Sequence, residues 1–98
     1  MFKLADTKDI PLGKSIIVLS PKGQEIAIFN IDGEFYALEN LCPHQGGPLG
    51  EGDIEDSCVT CPWHGWQFDI ATGECINVPG ESTAKIDIKI AEDAIYLV

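Results

Sequence analysis

The apolar runs of this 98-residue chain are short and mostly of period two. In Glu25-Ile26-Ala27-Ile28-Phe29-Asn30 and Lys85-Ile86-Asp87-Ile88-Lys89-Ile90, alternate side chains can face one core, which is the pattern of a β-strand. Ala94-Ile95-Tyr96-Leu97-Val98 predicts a last strand. Turn signals separate these runs at Pro21-Lys22-Gly23, Asp32-Gly33, Thr72-Gly73, Pro79-Gly80 and Glu92-Asp93. Asp32-Gly33 predicts a tight hairpin, because glycine tolerates the positive φ that such turns demand. Thr7-Lys8-Asp9-Ile10 opens a short helical turn that Pro11 and Gly13 stop. The pattern as a whole predicts an antiparallel all-β domain.

No repeat, low-complexity tract or linker divides the chain, so residues 1–98 are expected to form a single domain. At that size burial leaves a thin margin of stability, and a bound metal centre would contribute to it. No apolar run, Ile16-Ile17-Val18-Leu19 included, approaches the roughly 20 residues that span a bilayer. Met1-Phe2-Lys3-Leu4-Ala5-Asp6 lacks the charged head, apolar middle and small-residue cleavage site of an export signal. The expectation is a cytoplasmic protein without a membrane anchor.

The formal charge of −10 comes from 16 acidic and 6 basic residues. Such a field repels phosphate backbones and anionic membranes, so no nucleic-acid or membrane partner is expected. It serves solubility or steering toward a basic protein surface equally well. The 4 cysteines, with no export signal ahead of them, point to metal or catalytic chemistry before disulfides.

The middle of the chain differs in texture. Residues 41–66 hold both histidines, both tryptophans, three of the four cysteines and five of the ten glycines. So loop-rich a segment cannot be fixed by a large core of its own, and a metal clip is a plausible organiser. Two ligand boxes stand in it, Cys42-Pro43-His44 and Cys61-Pro62-Trp63-His64, with 16 residues between them. Two loops that each supply one thiolate and one imidazole can grip a metal centre from opposite sides. Thiolate favours iron–sulfur or zinc centres, and imidazole suits iron or zinc.

Cys42-Pro43-His44-Gln45-Gly46-Gly47 and Cys61-Pro62-Trp63-His64-Gly65-Trp66-Gln67-Phe68-Asp69 resemble the Rieske family, in particular the soluble ferredoxin component of bacterial aromatic-ring dioxygenases. The resemblance implies an antiparallel β-sandwich of Rieske type with a small cluster-binding subdomain inserted at about 40–72. It implies one [2Fe–2S] cluster, with Cys42 and Cys61 on one iron and His44 and His64 on the other. Two neutral imidazoles in place of thiolates raise the potential above that of all-cysteine ferredoxins, and the electron then localises on the histidine side. Val78-Pro79-Gly80-Glu81 is similar to the family's proline-containing loop that covers the cluster.

The match also departs from one branch. Respiratory and photosynthetic Rieske proteins carry an extra cysteine in each box, joined as a disulfide, and hydroxyl donors to the cluster. Here Gly47 and Trp63 stand at the cysteine places, and Trp66 and Phe68 at those of the donors. Without hydroxyl bonds to reduced-state sulfur, the expected potential lies near the low end of the Rieske window, about −150 mV.

Gly46, Gly47 and Gly65 abut the ligand positions and are expected to let backbone approach the cluster, with their N–H groups facing its sulfurs, the alternative being that they only turn the loops. Pro43 and Pro62 stiffen the loops. Cys58 and Cys61 form a Cys-x-x-Cys, but residues 56–60 read as a strand entering the second box, which makes Cys58 a small core thiol. Cys75 is also expected to be packed. Trp63 could shield the cluster or meet a partner, or equally pack within its loop, whereas Trp66 and Phe68 read as core. The acidic run 51–56 reads as a solvated face.

The function implied is single-electron transfer, with His44 and His64 at an exposed tip. The expected partners are an NAD(P)H-dependent flavoprotein reductase and a terminal aromatic-ring oxygenase. The alternatives are the small Rieske subunit of an assimilatory NAD(P)H nitrite reductase, paired with its large subunit, and a structural zinc domain. No nicotinamide or flavin fingerprint is present, so the chain is read as a carrier and not as an enzyme in its own right.

Overall fold

The computed structural model describes residues 2–42, 46–63 and 65–98. Strands β1 (Phe2–Asp6), β2 (Ser15–Leu19), β3 (Glu25–Ile31) and β4 (Glu34–Glu39) come first. The middle holds β5 (Asp53–Glu55), β6 (Cys58–Thr60) and β7 (Gln67–Asp69), and the chain continues through β8 (Lys85–Ile86), β9 (Ile88–Ala91) and β10 (Ala94–Leu97). Apart from 3-10 turns at Thr7–Asp9 and Leu49–Glu51, all regular structure among the described residues is β. The strands form three sheets in the orders β1-β10-β9, β2-β3-β4-β8 and β5-β6-β7. Their pairings are antiparallel throughout, as the alternating pattern predicts. No helix among the described residues is long and apolar enough to cross a membrane.

The sheet β2-β3-β4-β8 is the middle layer, and β3 shows why. Its residues Ile26, Ala27, Ile28, Phe29 and Asn30 are all buried, so alternation here does not separate core from solvent. It sorts side chains between two cores. Ile26 and Ile28 pack with Ile10, Ala37 and Ile95 beneath the terminal sheet β1-β10-β9. Ala27 and Phe29 pack with Leu38, Leu49, Val59, Phe68 and Ile70 beneath the small sheet β5-β6-β7. Burying such aliphatic and aromatic side chains stabilises the fold by roughly 1.5–3 kcal/mol each.

The run 85–90, expected as one strand, is divided at Asp87. Ile86 pairs with Ala37 in the middle sheet, whereas Ile88 pairs with Leu97 in the terminal sheet. Ile86 and Ile88 nevertheless pack on the same core, so the period of two survives the change of partner.

The hairpin predicted at Asp32-Gly33 is present: the two residues join the paired Ile31 and Glu34, with φ of 54° and 90°. Positive φ at both positions gives the primed twist that two-residue hairpins favour. Asn30 braces this turn, accepting from the Gly33 N–H at 2.9 Å and donating to the Ile10 carbonyl at 2.7 Å. Glu92 and Asp93 turn in the same way between Ala91 and Ala94, with φ of 50° and 63°. A third turn corrects the reading of 56–60 as one strand. Glu55 pairs with Cys58, and Asp56, at φ 57°, turns the chain between β5 and β6 together with Ser57.

Candidate metal centre

Cys42 and Cys61 anchor the same pattern of closing hydrogen bonds in the two boxes. In the first, the Cys42 carbonyl accepts from the Gly46 N–H at 2.8 Å, and the Cys42 N–H donates to the Gly47 carbonyl at 2.8 Å. In the second, the Cys61 carbonyl accepts from the Gly65 N–H at 3.1 Å, and the Cys61 N–H donates to the Trp66 carbonyl at 2.7 Å. Each loop is thus closed on its cysteine by the residues four and five positions on. Gly46 and Gly65 occupy matching left-handed conformations, φ 75° and 74°. A Cβ built at either meets no described atom within 4 Å. Glycine is required there by backbone conformation, with no crowding from the described residues.

That closure revises the expectation for these amides. The N–H groups of Gly46 and Gly65, expected to face cluster sulfur, are engaged in closing their own loops. Close approach occurs at Gly47 instead. A Cβ there would lie 2.8 Å from the Cys61 Sγ and 3.1 Å from the Trp63 ring. The first loop therefore rests its backbone directly on the second loop's sulfur.

Each loop is framed by a backbone pair immediately outside it and braced by an asparagine. The first follows β4 and is pinned by the Leu41–Pro48 bridge and by fully buried Asn40. Asn40 accepts at Oδ1 from the Gly50 N–H at 2.7 Å, and its Nδ2 donates to Glu25 Oε1 at 2.9 Å. Its carbonyl accepts from the Leu49 N–H at 2.7 Å. The second loop is the connection between β6 and β7, whose last ladder pair is Thr60 with Gln67. Asn77 holds its exit, donating from Nδ2 to the Gly65 carbonyl at 3.1 Å and accepting at Oδ1 from the Gln67 N–H at 3.0 Å. Neither asparagine is marked by the sequence pattern, because their partners lie far away along the chain. The only local signal is the place of Asn40 at the end of a strand, two residues before a box.

Of the predicted ligands, Cys42 and Cys61 are brought into one core cluster and are both buried. His44 and His64, like Pro43 and Gln45, lie outside the described residues. Among the described residues no three His, Cys, Asp or Glu side chains form a metal-binding group. The sulfurs fit a thiolate-bound centre in chemistry and placement. A thiolate is costly to bury without a positive partner, and a metal centre held by these two buried cysteines would supply one.

Cys58 departs from its predicted core place. Its neighbour Val59 points into the core, while Cys58 is half-buried on the outer face of the small sheet, between Glu55 and Asp69 on the flanking strands. Burial, together with the carboxylates of Asp69, Asp56 and Glu55, pushes its thiol above the usual range. Cys58 and Cys61 thus do not form a dithiol pair. Cys75 is buried as expected, with its Sγ–H directed at Asn77 Oδ1 over 3.4 Å. Phe68 is fully buried, and Trp66 packs on the same core with its ring centroid 6.4 Å from that of Phe68. Trp63 remains 56% exposed while its ring covers Gly47.

The charge around these loops is one-sided. Residues 23–84 contain none of the six lysines and eleven of the sixteen acidic residues. Negative charge on this scale opposes the addition of an electron nearby.

A family model described as the Rieske [2Fe–2S] domain matches residues 1–91. The ferredoxin component of the naphthalene 1,2-dioxygenase/salicylate 5-hydroxylase systems of a Ralstonia species is 37% identical over 71 residues, which cover 72% of this chain and 67% of that one. The Sphingomonas yanoikuyae B1 ferredoxin superposes with a TM-score of 0.90 at 28% identity, covering 98% of this chain and 95% of its own. A putative NADH-dependent nitrite reductase small subunit from Mycobacterium tuberculosis shares the fold, with a TM-score of 0.89 at 22% identity and coverage of 97% and 90%. Three longer curated relatives match at 34% to 39% identity, and the chain spans 12% to 18% of their length.

Proposed function

The chain belongs to the Rieske [2Fe–2S] domain family, and on that premise we propose that it is a single-electron carrier between an NAD(P)H-dependent flavoprotein reductase and a terminal aromatic-ring oxygenase. The observation that carries this reading is the pair of matching loops, each closed on a buried cysteine and packed together at Gly47 and Cys61. The similarity to a dioxygenase ferredoxin component supports the choice of partners.

Cys42, His44, Cys61 and His64 would hold the cluster. When bound, that cluster supplies reversible one-electron transfer. The rest of the task falls to the chain. The core beneath the small sheet keeps water from the inner side of both cysteine sulfurs. Loop closure by the glycine amides fixes where each sulfur points, so that little reorganisation accompanies a change of charge. The acidic surroundings and the lack of hydroxyl donors at Trp66 and Phe68 hold the potential low, where a flavoprotein can reduce it and an oxygenase can draw from it. Half-exposed Trp63 offers a partner a flat aromatic contact next to the loops. Carriage within the cytoplasm belongs to the same proposal.

The test is anaerobic reduction of the holoprotein by candidate flavoprotein reductases, followed by reoxidation with candidate oxygenases and with a sirohaem nitrite reductase. Coupled turnover with a ring oxygenase is expected. Turnover with nitrite reductase and with no oxygenase would overturn the proposed partner. A zinc-loaded, colourless folded protein would overturn the carrier role altogether.

A further inference from the structure

The segment after β7 completes the small sheet. The Asp69 N–H donates to the Glu74 carbonyl at 2.9 Å, Phe68 bridges to Cys75, and the Ile76 N–H donates to the Gln67 carbonyl at 2.7 Å. At the next place in this ladder the backbone partner is replaced by a side chain. Asn77 Oδ1 takes the Gln67 N–H at 3.0 Å, and its Nδ2 reaches on to the Gly65 carbonyl at 3.1 Å. A third bond, from the Cys75 thiol at 3.4 Å, fixes the rotation of the amide. The same segment is closed on itself, since the Cys75 N–H donates to the Glu81 carbonyl at 2.9 Å. Within it, Val78 packs on the core that holds Cys42 and Cys61, while Pro79 stays exposed.

We propose that Asn77 is a positioning residue for the metal centre: by clamping both sides of Trp66 it locks the exit of the second cysteine loop to the 75–81 turn. This inference rests on the proposed function, because it concerns how that site is held. In the second loop the bond from the Gly65 N–H to the Cys61 carbonyl is 3.1 Å. In the first loop the corresponding closure is 2.8 Å, and the Leu41–Pro48 bridge supports it immediately outside. The second loop has the same support in the Thr60–Gln67 pair, and Asn77 reinforces it through the Gly65 carbonyl and the Gln67 N–H.

Without the Asn77 amide, the Gly65 carbonyl and the Gln67 N–H turn to water, and solvent gains access beside Cys61. A reduced centre carries one more negative charge than an oxidised one, and water stabilises the more charged form. The potential therefore rises when the clamp is lost. A carboxylate at the same place would have the reverse effect, since it still accepts from Gln67 but sets a negative charge beside the loop.

The test uses the holoprotein with Asn77→Ala and Asn77→Asp. It measures iron and sulfide content, the midpoint potential, and amide hydrogen exchange at Gln67. With cluster content as in wild type, Asn77→Ala is expected to raise the potential and to speed exchange at Gln67 at least about tenfold. Asn77→Asp is expected to lower the potential and to leave Gln67 protected. Unchanged potentials in both variants, with only the unfolding midpoint reduced, would overturn the positioning role. If Asn77→Ala does not fold, Asn77→Asp decides alone: a lowered potential supports the role and an unchanged one overturns it. A wild-type protein without iron and acid-labile sulfide would instead overturn the carrier reading beneath it.

Discussion

Gly47 and Cys61 approach so closely that a Cβ on the glycine would stand 2.8 Å from the cysteine sulfur, nearer than real Cβ atoms come to anything. A Cβ on the neighbouring Gly46 would meet no described atom within 4 Å, but its φ is 75°. The two glycines are thus needed for different reasons, and alanine should separate them. Gly47→Ala forces sulfur and the Trp63 ring apart, at a cost of about 1–3 kcal/mol, and is expected to impair cluster assembly. Gly46→Ala costs about 1 kcal/mol of backbone strain and leaves the sulfurs in place. Iron content after purification, set beside the thermal midpoint of each variant, distinguishes them.

Asn40 supports the first loop from a fully buried position. Asn40→Ala leaves the Gly50 N–H without its side-chain acceptor and Glu25 without its donor. Urea denaturation is expected to show a loss of about 2–3 kcal/mol, a large share of the stability of a domain this small. A loss under about 0.5 kcal/mol would mean that water replaces the amide without penalty.

Cys58 should make stability depend on alkaline pH. Its folded thiol is held above the ordinary range, first by burial and then by Asp69, Asp56 and Glu55. The folded state therefore retains the proton that the unfolded state releases above about pH 8.5. By linkage its contribution is fully present below the unfolded value and is lost as pH rises through the folded one. Between pH 8 and pH 10, wild type is expected to lose more stability than Cys58→Ser, which has no thiol to ionise. Parallel declines would contradict this environment for Cys58.

The fold was largely legible in the chain, since period-two runs separated by glycine-bearing turns admit few alternatives to antiparallel strands. What escaped had a physical reason in each case. Ile26, Ala27, Ile28 and Phe29 are all apolar, so nothing along the chain says that they divide between two cores. Asp87 marks a change of sheet that leaves the alternation of Ile86 and Ile88 untouched. Cys58 is small and apolar enough for either face of β6, and Asp56 turns with a positive φ that glycine would have signalled more plainly. In the site, the cysteines were marked by their boxes, while Asn40 and Asn77 act through partners up to 15 residues away. His44 and His64 lie outside the described residues, and their role rests on the boxes they share with Cys42 and Cys61.

The most direct measurement is therefore electron paramagnetic resonance of the reduced holoprotein labelled with nitrogen-15 at its two histidines, with nuclear couplings resolved. The account predicts a Rieske-type signal with two histidine nitrogens coupled to the electron spin, both couplings lost in a His44→Cys, His64→Cys double variant. A signal without nitrogen coupling, or no signal from a folded wild-type protein, would contradict it.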